Sequence, residues 1–374
     1  MMRIDAPWLR GPSRCILTML SDADFQAWYV GGCVRNALLG TSASDLDVTT
    51  DALPEQVIAL AEAAGLKAIP TGIDHGTVTI VVEGETFEVT TFRRDVATDG
   101  RRAVVAFSDT IKDDARRRDF TVNALYCDVD GLVADPLGGL PDLETGQIRF
   151  IDDPVQRIQE DYLRIMRFFR FTAWYGGDGI DPEGLAACGA HVDGLDGLSA
   201  ERVTSELLKL LAAPDPAPAV AAMDHSGVLM RVLPGAAPDV LTVLVHLEQD
   251  QNLPPDPMRR LVALGGDFGR LRLSKVQQRR IDQIRSDVPQ LEQANRYGFE
   301  IARDRYLIEN ASLTQAISAE KLNRLEWAAK QILPVRAADF MPEKSGAALG
   351  ETLRDAQDRW IASGFTLTRE DLLG

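Results

Sequence analysis

The stretch YVGGCVRNALLGTSASDLDVTT, Tyr29 to Thr50, carries two glycines, then an arginine, then two aspartates one residue apart. QAWYV (26–30) reads as a short strand and VRNALLG (34–40) as a short helix closed by Gly40. DLDVTT (45–50) reads as a second strand. Gly31 and Gly32 let a backbone come close to phosphates, and the helix N-terminus behind them points N–H groups at an anion. Arg35 adds a permanent positive charge. Alternate residues of a strand share a face, so Asp45 and Asp47 project together while Leu46 and Val48 turn toward a core. Two carboxylates so close repel each other. Divalent cations relieve that repulsion, and Mg²⁺ takes hard oxygen ligands while keeping positions open for substrate phosphates. Alone, Asp-x-Asp is equally a polar strand end and Gly-Gly a tight turn. Together with the arginine they point to nucleotidyl transfer. Glu88, in FEVTTF on a later strand, is either a third carboxylate near the cations or an exposed strand residue.

The first ~150 residues continue as α/β, within the usual size of one domain. Pro54 opens a helix, PEQVIALAEAAG, that Gly65 closes, and GTVTIVVEGETFEVTTF (76–92) reads as two strands around a Glu-Gly turn. Arg93 to Ser108 is polar and aperiodic, and is expected to be a mobile loop. RRRDFTVNALYCD (116–128) follows, in which Arg118 and Asn123 can reach a triphosphate or ribose and Asp119 can orient an arginine.

From Asp152 the pattern is helical. Asp153 is placed to cap a helix that starts at Pro154 and runs through EDYLRIMRFFRF. At ~100° per residue, Val155, Ile158, Tyr162, Ile165 and Phe169 form one stripe, and Arg157, Asp161 and Arg164 cluster beside it. As surface ion pairs these charges are worth only about 0.3–0.5 kcal/mol each. A sharper reading uses their chemistry. Asp accepts hydrogen bonds and Arg donates them. Cytosine and adenine both offer an amino group beside a ring acceptor, whereas uracil and guanine offer a carbonyl beside an N–H. An Asp161/Arg164 pair therefore accepts C and A and rejects U and G, with unpaired site groups opposing the wrong base. Arg167 and Arg170 turn progressively away, toward phosphates or as braces.

Composition narrows the setting. The 374 residues are 45% hydrophobic, enough for more than one globular core, and no apolar run reaches the ~20 residues of a membrane span. The N-terminus lacks the pattern of a cleaved signal. Four dispersed cysteines argue against a disulfide framework or a zinc site, and the expected compartment is the reducing cytoplasm. The net charge is −16, yet Arg93–Arg118 has eight basic against five acidic residues and Met258–Arg285 eight against two. Such patches on an acidic chain suit an anionic partner held on one face. In the second patch Arg259, Arg260, Arg272, Lys275, Arg279 and Arg280 are the candidate RNA contacts.

GGCVRN followed by DLD, EVTTFR, RRDFTVNAL, DPLGGLPDL, EDYLR and RFFRF, with SAERVTSELLKLL (199–211) as a neck segment, make the chain resemble the class II tRNA nucleotidyltransferases and the related bacterial poly(A) polymerases. The likeness covers Trp28 to Leu211, and LRLSK (271–275) extends it weakly. It implies an α+β nucleotidyltransferase head with a mixed sheet (1–150), followed by an all-α neck (151–215), body (216–290) and tail (291–374), the last two holding tRNA. It implies addition of C and A to tRNA 3′ ends from CTP and ATP, with Mg²⁺ on Asp45 and Asp47. Gly32, Arg35 and Arg118 would touch the nucleotide, Asp161 and Arg164 would read the base, and Arg167 and Arg170 would lie near it. Asn36 stands where the family has Asp, and its expected role is loop support. His-Asp phosphohydrolase signatures are absent from the sequence, and no membrane or protein partner is expected. The alternatives are a poly(A) polymerase, an enzyme adding only CC or only A, and an inactive RNA-binding protein; the intact carboxylate pair argues against the last.

Overall fold

A computed structural model describes residues 2–42, 45–99 and 102–374. They form two compact units: one of residues up to Glu206 with Pro218–Val232, the other of Leu207–Ala217 with Leu233–Gly374.

The first unit begins with α1 (Arg14–Asp22), β1 (Ala27–Val30), α2 (Gly32–Leu38), β2 (Asp47–Thr50), α3 (Pro54–Ala63) and β3 (Lys67–Gly72). Two hairpins follow, β4 (Thr77–Val82) with β5 (Glu85–Thr91) and β6 (Arg93–Asp99) with β7 (Arg102–Phe107). After α4 (Ile111–Arg116), β8 (Tyr126–Cys127), β9 (Val133–Ala134) and α5 (Leu140–Thr145), the chain turns helical. Seven strands share one sheet in the order β3-β4-β5-β2-β1-β8-β9. Only β2 and β5 run parallel, and their register sets Asp47 across from Glu88. The β4–β5 turn has positive φ at both Glu83 and Gly84, which matches the twist of a two-residue hairpin. Val78, Ile80 and Val82 face inward from β4, as its alternating sequence requires. The mixed-sheet α+β fold expected for this region is what the structure contains.

Two expectations change here. Arg93–Ser108 is not an irregular loop: β6 and β7 pair antiparallel with a bulge between Asp95 and Ala97. Residues 100 and 101 lie outside the described residues. Asp45 lies just ahead of β2 rather than within it.

The helix from Pro154 is two helices, α6 (Pro154–Glu160) and α7 (Leu163–Tyr175). Asp153 caps the first by accepting a hydrogen bond from the Val155 N–H at 2.8 Å. The break falls at Asp161, whose backbone is extended at φ −154° and ψ 105°. Its side chain caps the next helix, accepting from the Leu163 N–H at 3.1 Å. The adjoining Tyr162 ring occupies space that only a glycine at 194 leaves open, since a Cβ there would stand 1.9 Å from the ring. The interruption also undoes the continuous stripes: Ile158, Ile165 and Phe169 are buried, but Val155 is exposed. Phe168 and Phe171 of α7 join Phe120 and Phe150 in an aromatic cluster with centroids about 5–6 Å apart. Each buried ring adds about 1.5–3 kcal/mol. Next come α8 (Pro182–Ala190), α9 (Ala200–Leu211), α10 (Ala217–His225) and α11 (Val228–Val232).

The second unit is helical: α12 (Pro238–Asp250), α13 (Pro257–Leu264), α14 (Lys275–Ile284), α15 (Gln290–Tyr297), α16 (Phe299–Leu313), α17 (Ala319–Ala329), α18 (Gly346–Ala362) and α19 (Arg369–Leu373). Leu244, Leu247, Ala263, Leu307 and Ala311 form one core, and Val335, Ala356, Trp360, Ile361 and Leu372 another. Between α12, α13 and α16 lies a buried charge network. Arg259 and Arg260 both bind Glu248, and Arg259 also binds Asp304 at 3.0 Å; none of the four side chains is more than 2% exposed. Arg260 donates further to the carbonyl of Leu211 at 2.7 Å. These two arginines are therefore interior braces and not RNA contacts. A charge count along the sequence cannot see that their countercharges come from helices 11 and 45 residues away. Arg280 is anchored to Asp256 and Asp304, whereas Arg272, Lys275 and Arg279 are exposed.

Candidate active site

One cavity of about 720 Å³ in the first unit gathers the chemistry picked out in the sequence. Gly31, Gly32 and Arg35 reach it from the β1–α2 junction and α2, Asp45 from just ahead of β2, Asp47 from β2, and Glu88 from β5. Arg118 and Asn123 come from the segment after α4, and Asp161, Arg164, Arg167 and Arg170 from the α6–α7 break and α7. Thirty or more residues separate most of these groups in sequence. The parallel β2–β5 pairing and the return of α7 bring them together.

Gly31 has φ +74°, open to glycine and strained for other residues. A Cβ there would also sit 3.3 Å from the Arg118 guanidinium and 3.5 Å from the Asn123 carbonyl. The backbone can thus lie directly beneath an arginine. Arg118 is fixed from behind by Asp114 at 2.9 Å and by the Tyr126 hydroxyl at 3.2 Å. Burial opposes its charge, but Asp114 and Tyr126 outweigh burial and raise its pKa.

Asp45, Asp47 and Glu88 make the acidic side of the cavity. Enclosure by the cavity walls pushes the Asp47 carboxyl above its ordinary value, Glu88 and Asp45 push the same way, and Arg118 opposes them. Asp47 remains open to the cavity, so this is a site where a cation would relieve repulsion. Among the described residues no three His, Cys, Asp or Glu are drawn close enough to enclose a metal ion. A few hard oxygen donors suit magnesium, which shares its shell with phosphates and water.

Arg35 is more embedded than its sequence suggested. It donates to Asn36 at 3.0 Å and to the Tyr175 hydroxyl at 2.8 Å, bonds Asn123, and stacks 3.9 Å from the Tyr175 ring centroid. Asn36 in turn donates to the Ser42 carbonyl at 3.1 Å, the loop-supporting contact expected of it.

Asp119 does orient an arginine: it accepts from Arg167 Nε at 2.6 Å and from the Asn123 amide at 2.9 Å. Burial would raise its pKa, but Arg167 and the Asn123 hydrogen bond outweigh burial and hold it low. Arg170 pairs with Glu206 at 2.6 Å and lies over Phe171. Arg164 donates to the Arg157 carbonyl at 2.7 Å and to Glu160 at 2.5 Å, and Arg202 pairs with Asp161 at 2.6 Å. Arg157, placed beside Asp161 by the continuous-helix reading, is instead buried against Glu160.

The cavity also holds residues that the sequence reading passed over: Thr77, Thr90, Arg93, Arg117, Phe171 and Tyr175. Arg93 had a signal, since it ends EVTTFR. Tyr175 had one too: it follows Phe171 by four positions on one helical face. In all, seven arginines face five carboxylates around the cavity, a surplus that suits a polyanion.

The chain matches the family model described as Poly A polymerase head domain over residues 27–149, and the one described as Probable RNA and SrmB- binding site of polymerase A over residues 179–240. It is 44% identical over 188 residues to the human mitochondrial CCA tRNA nucleotidyltransferase 1, covering 48% of this chain and 42% of that protein. With the Levilactobacillus brevis CCA-adding enzyme it shares 41% over 206 residues, 54% of this chain and 51% of that one. These two alignments thus span about half the length of each relative. The mouse mitochondrial CCA tRNA nucleotidyltransferase 1 aligns nearly throughout, 32% identical over 382 residues, covering 92% of this chain and 84% of that protein. Among solved structures, the Bacillus stearothermophilus CCA-adding enzyme in complex with CTP superposes with a TM-score of 0.73 at 26% identity, covering 96% of this chain and 94% of that one. The Thermotoga maritima CCA-adding enzyme complexed with tRNA_CCA shares the fold, with a TM-score of 0.68 at 20% identity over 99% of this chain and 95% of that one.

Proposed function

Because the chain belongs to the CCA tRNA nucleotidyltransferase family, we propose that it adds C and A to the 3′ end of tRNA from CTP and ATP, without a nucleic-acid template, releasing pyrophosphate. The observation that carries this reading is the single cavity in which the carboxylates of β2 and β5 meet the Asp161/Arg164 pair.

In this reading the 3′-oxygen of the tRNA forms a bond to the α-phosphorus. The bond to the bridging oxygen breaks, and pyrophosphate leaves. Asp45 and Asp47 would hold magnesium, with Glu88 across from Asp47 as a further carboxylate of the site; when bound, the ion supplies charge neutralisation and activation of the attacking hydroxyl. Backbone at Gly31 and Gly32 approaches the phosphates, and Arg118 meets their charge. Asp161 accepts from the base amino group, and Arg164 donates to the adjacent ring nitrogen. Arg35, Asn123, Arg167 and Arg170 line the nucleotide and hold its walls together. Positioning supplies much of the acceleration.

The proposed division of labour keeps residues 1–150 as the catalytic head, 151–215 as the neck that reads the base, and 216–290 and 291–374 as body and tail holding tRNA. Arg272, Lys275 and Arg279 support this by their exposure, and Arg280 shares α14 with Lys275 and Arg279. Among the described residues no helix is long and apolar enough to cross a membrane. We assign the protein to the cytoplasm, a reading that the unpaired cysteines support.

The head-domain match by itself also fits a poly(A) polymerase. One experiment separates the readings. The protein is incubated with Mg²⁺, a tRNA lacking its 3′ CCA, and each nucleotide singly and together, and the products are sequenced. Growth by CCA that then stops is the expected result. Continued A addition would establish poly(A) synthesis, CC or A alone a partial enzyme, and no growth would refute the proposal.

A further inference from the structure

We propose that Arg202 is a specificity-determining positioning residue that fixes the Asp161 carboxylate as the acceptor half of the base-reading pair. This rests on the reading of Asp161 and Arg164 given above.

The pair is assembled from two sides. Glu160 and the carbonyls of Arg157 and Arg117 hold the Arg164 guanidinium, at 2.5, 2.7 and 3.3 Å. Nothing in α6 or α7 does the same for the outer oxygen of Asp161. The Leu163 N–H takes Oδ1 at 3.1 Å, and Arg202, from α9, takes Oδ2 at 2.6 Å. With both oxygens engaged, rotation of the carboxylate about its terminal torsion breaks one bond or the other. Each oxygen still has a lone pair for an amino group. Asp161 and Arg164 make no ion pair with each other among the described contacts, and both line the cavity.

Arg202 is poorly placed for stability alone. Its Nη1 is buried with no hydrogen-bond partner, an arrangement that costs free energy and calls for a reason. Its side chain is one-third exposed, so the surface pair with Asp161 contributes little to folding. A guanidinium that leaves one buried donor unused and spends its shortest bond on a base-reading carboxylate serves orientation. Without it, Asp161 is tethered at one oxygen only. It can then swing away from the base, and Arg164, which donates to any carbonyl or ring acceptor, is left to choose. Uracil and guanine present such carbonyls.

The test compares the intact wild-type protein with Arg202→Met and Arg202→Lys. Rates are measured with each of CTP, ATP, UTP and GTP on a tRNA lacking its 3′ CCA, and melting temperatures are recorded alongside. The expected result is a fall of about tenfold or more in the preference for CTP and ATP over UTP and GTP in Arg202→Met, the scale of one lost charged hydrogen bond. Arg202→Lys keeps a donor within reach and should recover most of that preference. Two outcomes overturn the proposal: an Arg202→Met protein with the wild-type preference, and an equal fall with all four nucleotides, which is what loosened packing alone produces. Should Arg202→Met not fold, Arg202→Gln takes its place, since it keeps a polar side chain but loses the charge and the reach to Asp161; the same fall in preference is expected of it and the same two outcomes overturn the proposal. A wild-type protein with no preference for CTP and ATP would instead refute the base-pair reading itself.

Discussion

Replacing Glu248 by Gln tests whether the arginine pair Arg259 and Arg260 belongs to the interior or to RNA. The carboxylate accepts from Arg259 Nε at 2.6 Å and from Arg260 Nε at 2.8 Å, with all three side chains at 2% exposure or less. Among the groups at 2% exposure or less, Asp304 completes the balance, two arginines against two carboxylates. Glutamine keeps the shape and leaves two buried positive charges facing one negative. Its amide NH₂ also points at an arginine that can only donate. Breaking a buried pair in this way costs about 3–5 kcal/mol. Asp304 and one amide oxygen still serve Arg259 and Arg260, so the lower end, about 3 kcal/mol, is expected. That is roughly a hundredfold or more in the population of the opened state. Native-state hydrogen exchange on the amides of α12, α13 and α16 reads this directly and avoids a melting curve that mixes two units. Nucleotide binding in the first unit should not change. A change in exchange below about fivefold, or tRNA binding that tightens because freed arginines reach phosphates, would refute the interior role.

Asp47→Asn should lower nucleotide addition by about a hundredfold or more while leaving the fold intact, because the acidic side of the cavity loses a charged ligand; near-wild-type incorporation would remove Asp47 from the chemistry. Gly194→Ala should slow addition severalfold, because its Cβ meets the Tyr162 ring at 1.9 Å and displaces the turn that presents Asp161; unchanged kinetics would mean the turn yields freely. Acid should destabilise the protein in a defined window. Arg118 and Arg167 outweigh burial at Asp114 and Asp119, and the Arg259 N–H and Arg280 do so at Asp256, so all three carboxyls titrate below 3.8. Depressed values stabilise the fold above the unfolded carboxyl pKa, about pH 4, and that stability is lost as the pH falls through the folded values. Unfolding free energy measured from pH 6 to 2 should therefore fall below about pH 4, and a flat profile would contradict the ion pairing.

The sequence was most readable where local chemistry sets local structure. Gly31, Gly65 and Gly84 all take the positive φ that their turns demand. Asp153 caps its helix, and the short strands at 27–30 and 47–50 stand where alternation and turn residues put them. The site was readable as a set of residue types, since the cavity collects nearly every candidate named from the motifs. What sequence could not supply was the partner of each charge. Periodicity made 154–175 one helix because apolar spacing survives across Asp161, while the break depends on a ring at 162 meeting a glycine 32 positions away. Met258–Arg285 looked like one basic surface, yet Arg259 and Arg260 are neutralised by Glu248 and Asp304 inside the helices. Arg202 stood inside the quoted neck segment SAERVTSELLKLL but was not singled out there. Its significance comes only from the oxygen it meets.

The parallel register of β2 against β5 also bears on biosynthesis. Asp47 leaves the ribosome 41 residues before its counterpart Glu88, and Tyr175, which buttresses Arg35, emerges much later. Arg35 precedes both aspartates, but the other six arginines of the cavity, Arg93 to Arg170, follow them in the chain. The cavity lining runs from Val30 to Tyr175, so the cavity is complete only once α7 has been made and packed back onto the sheet.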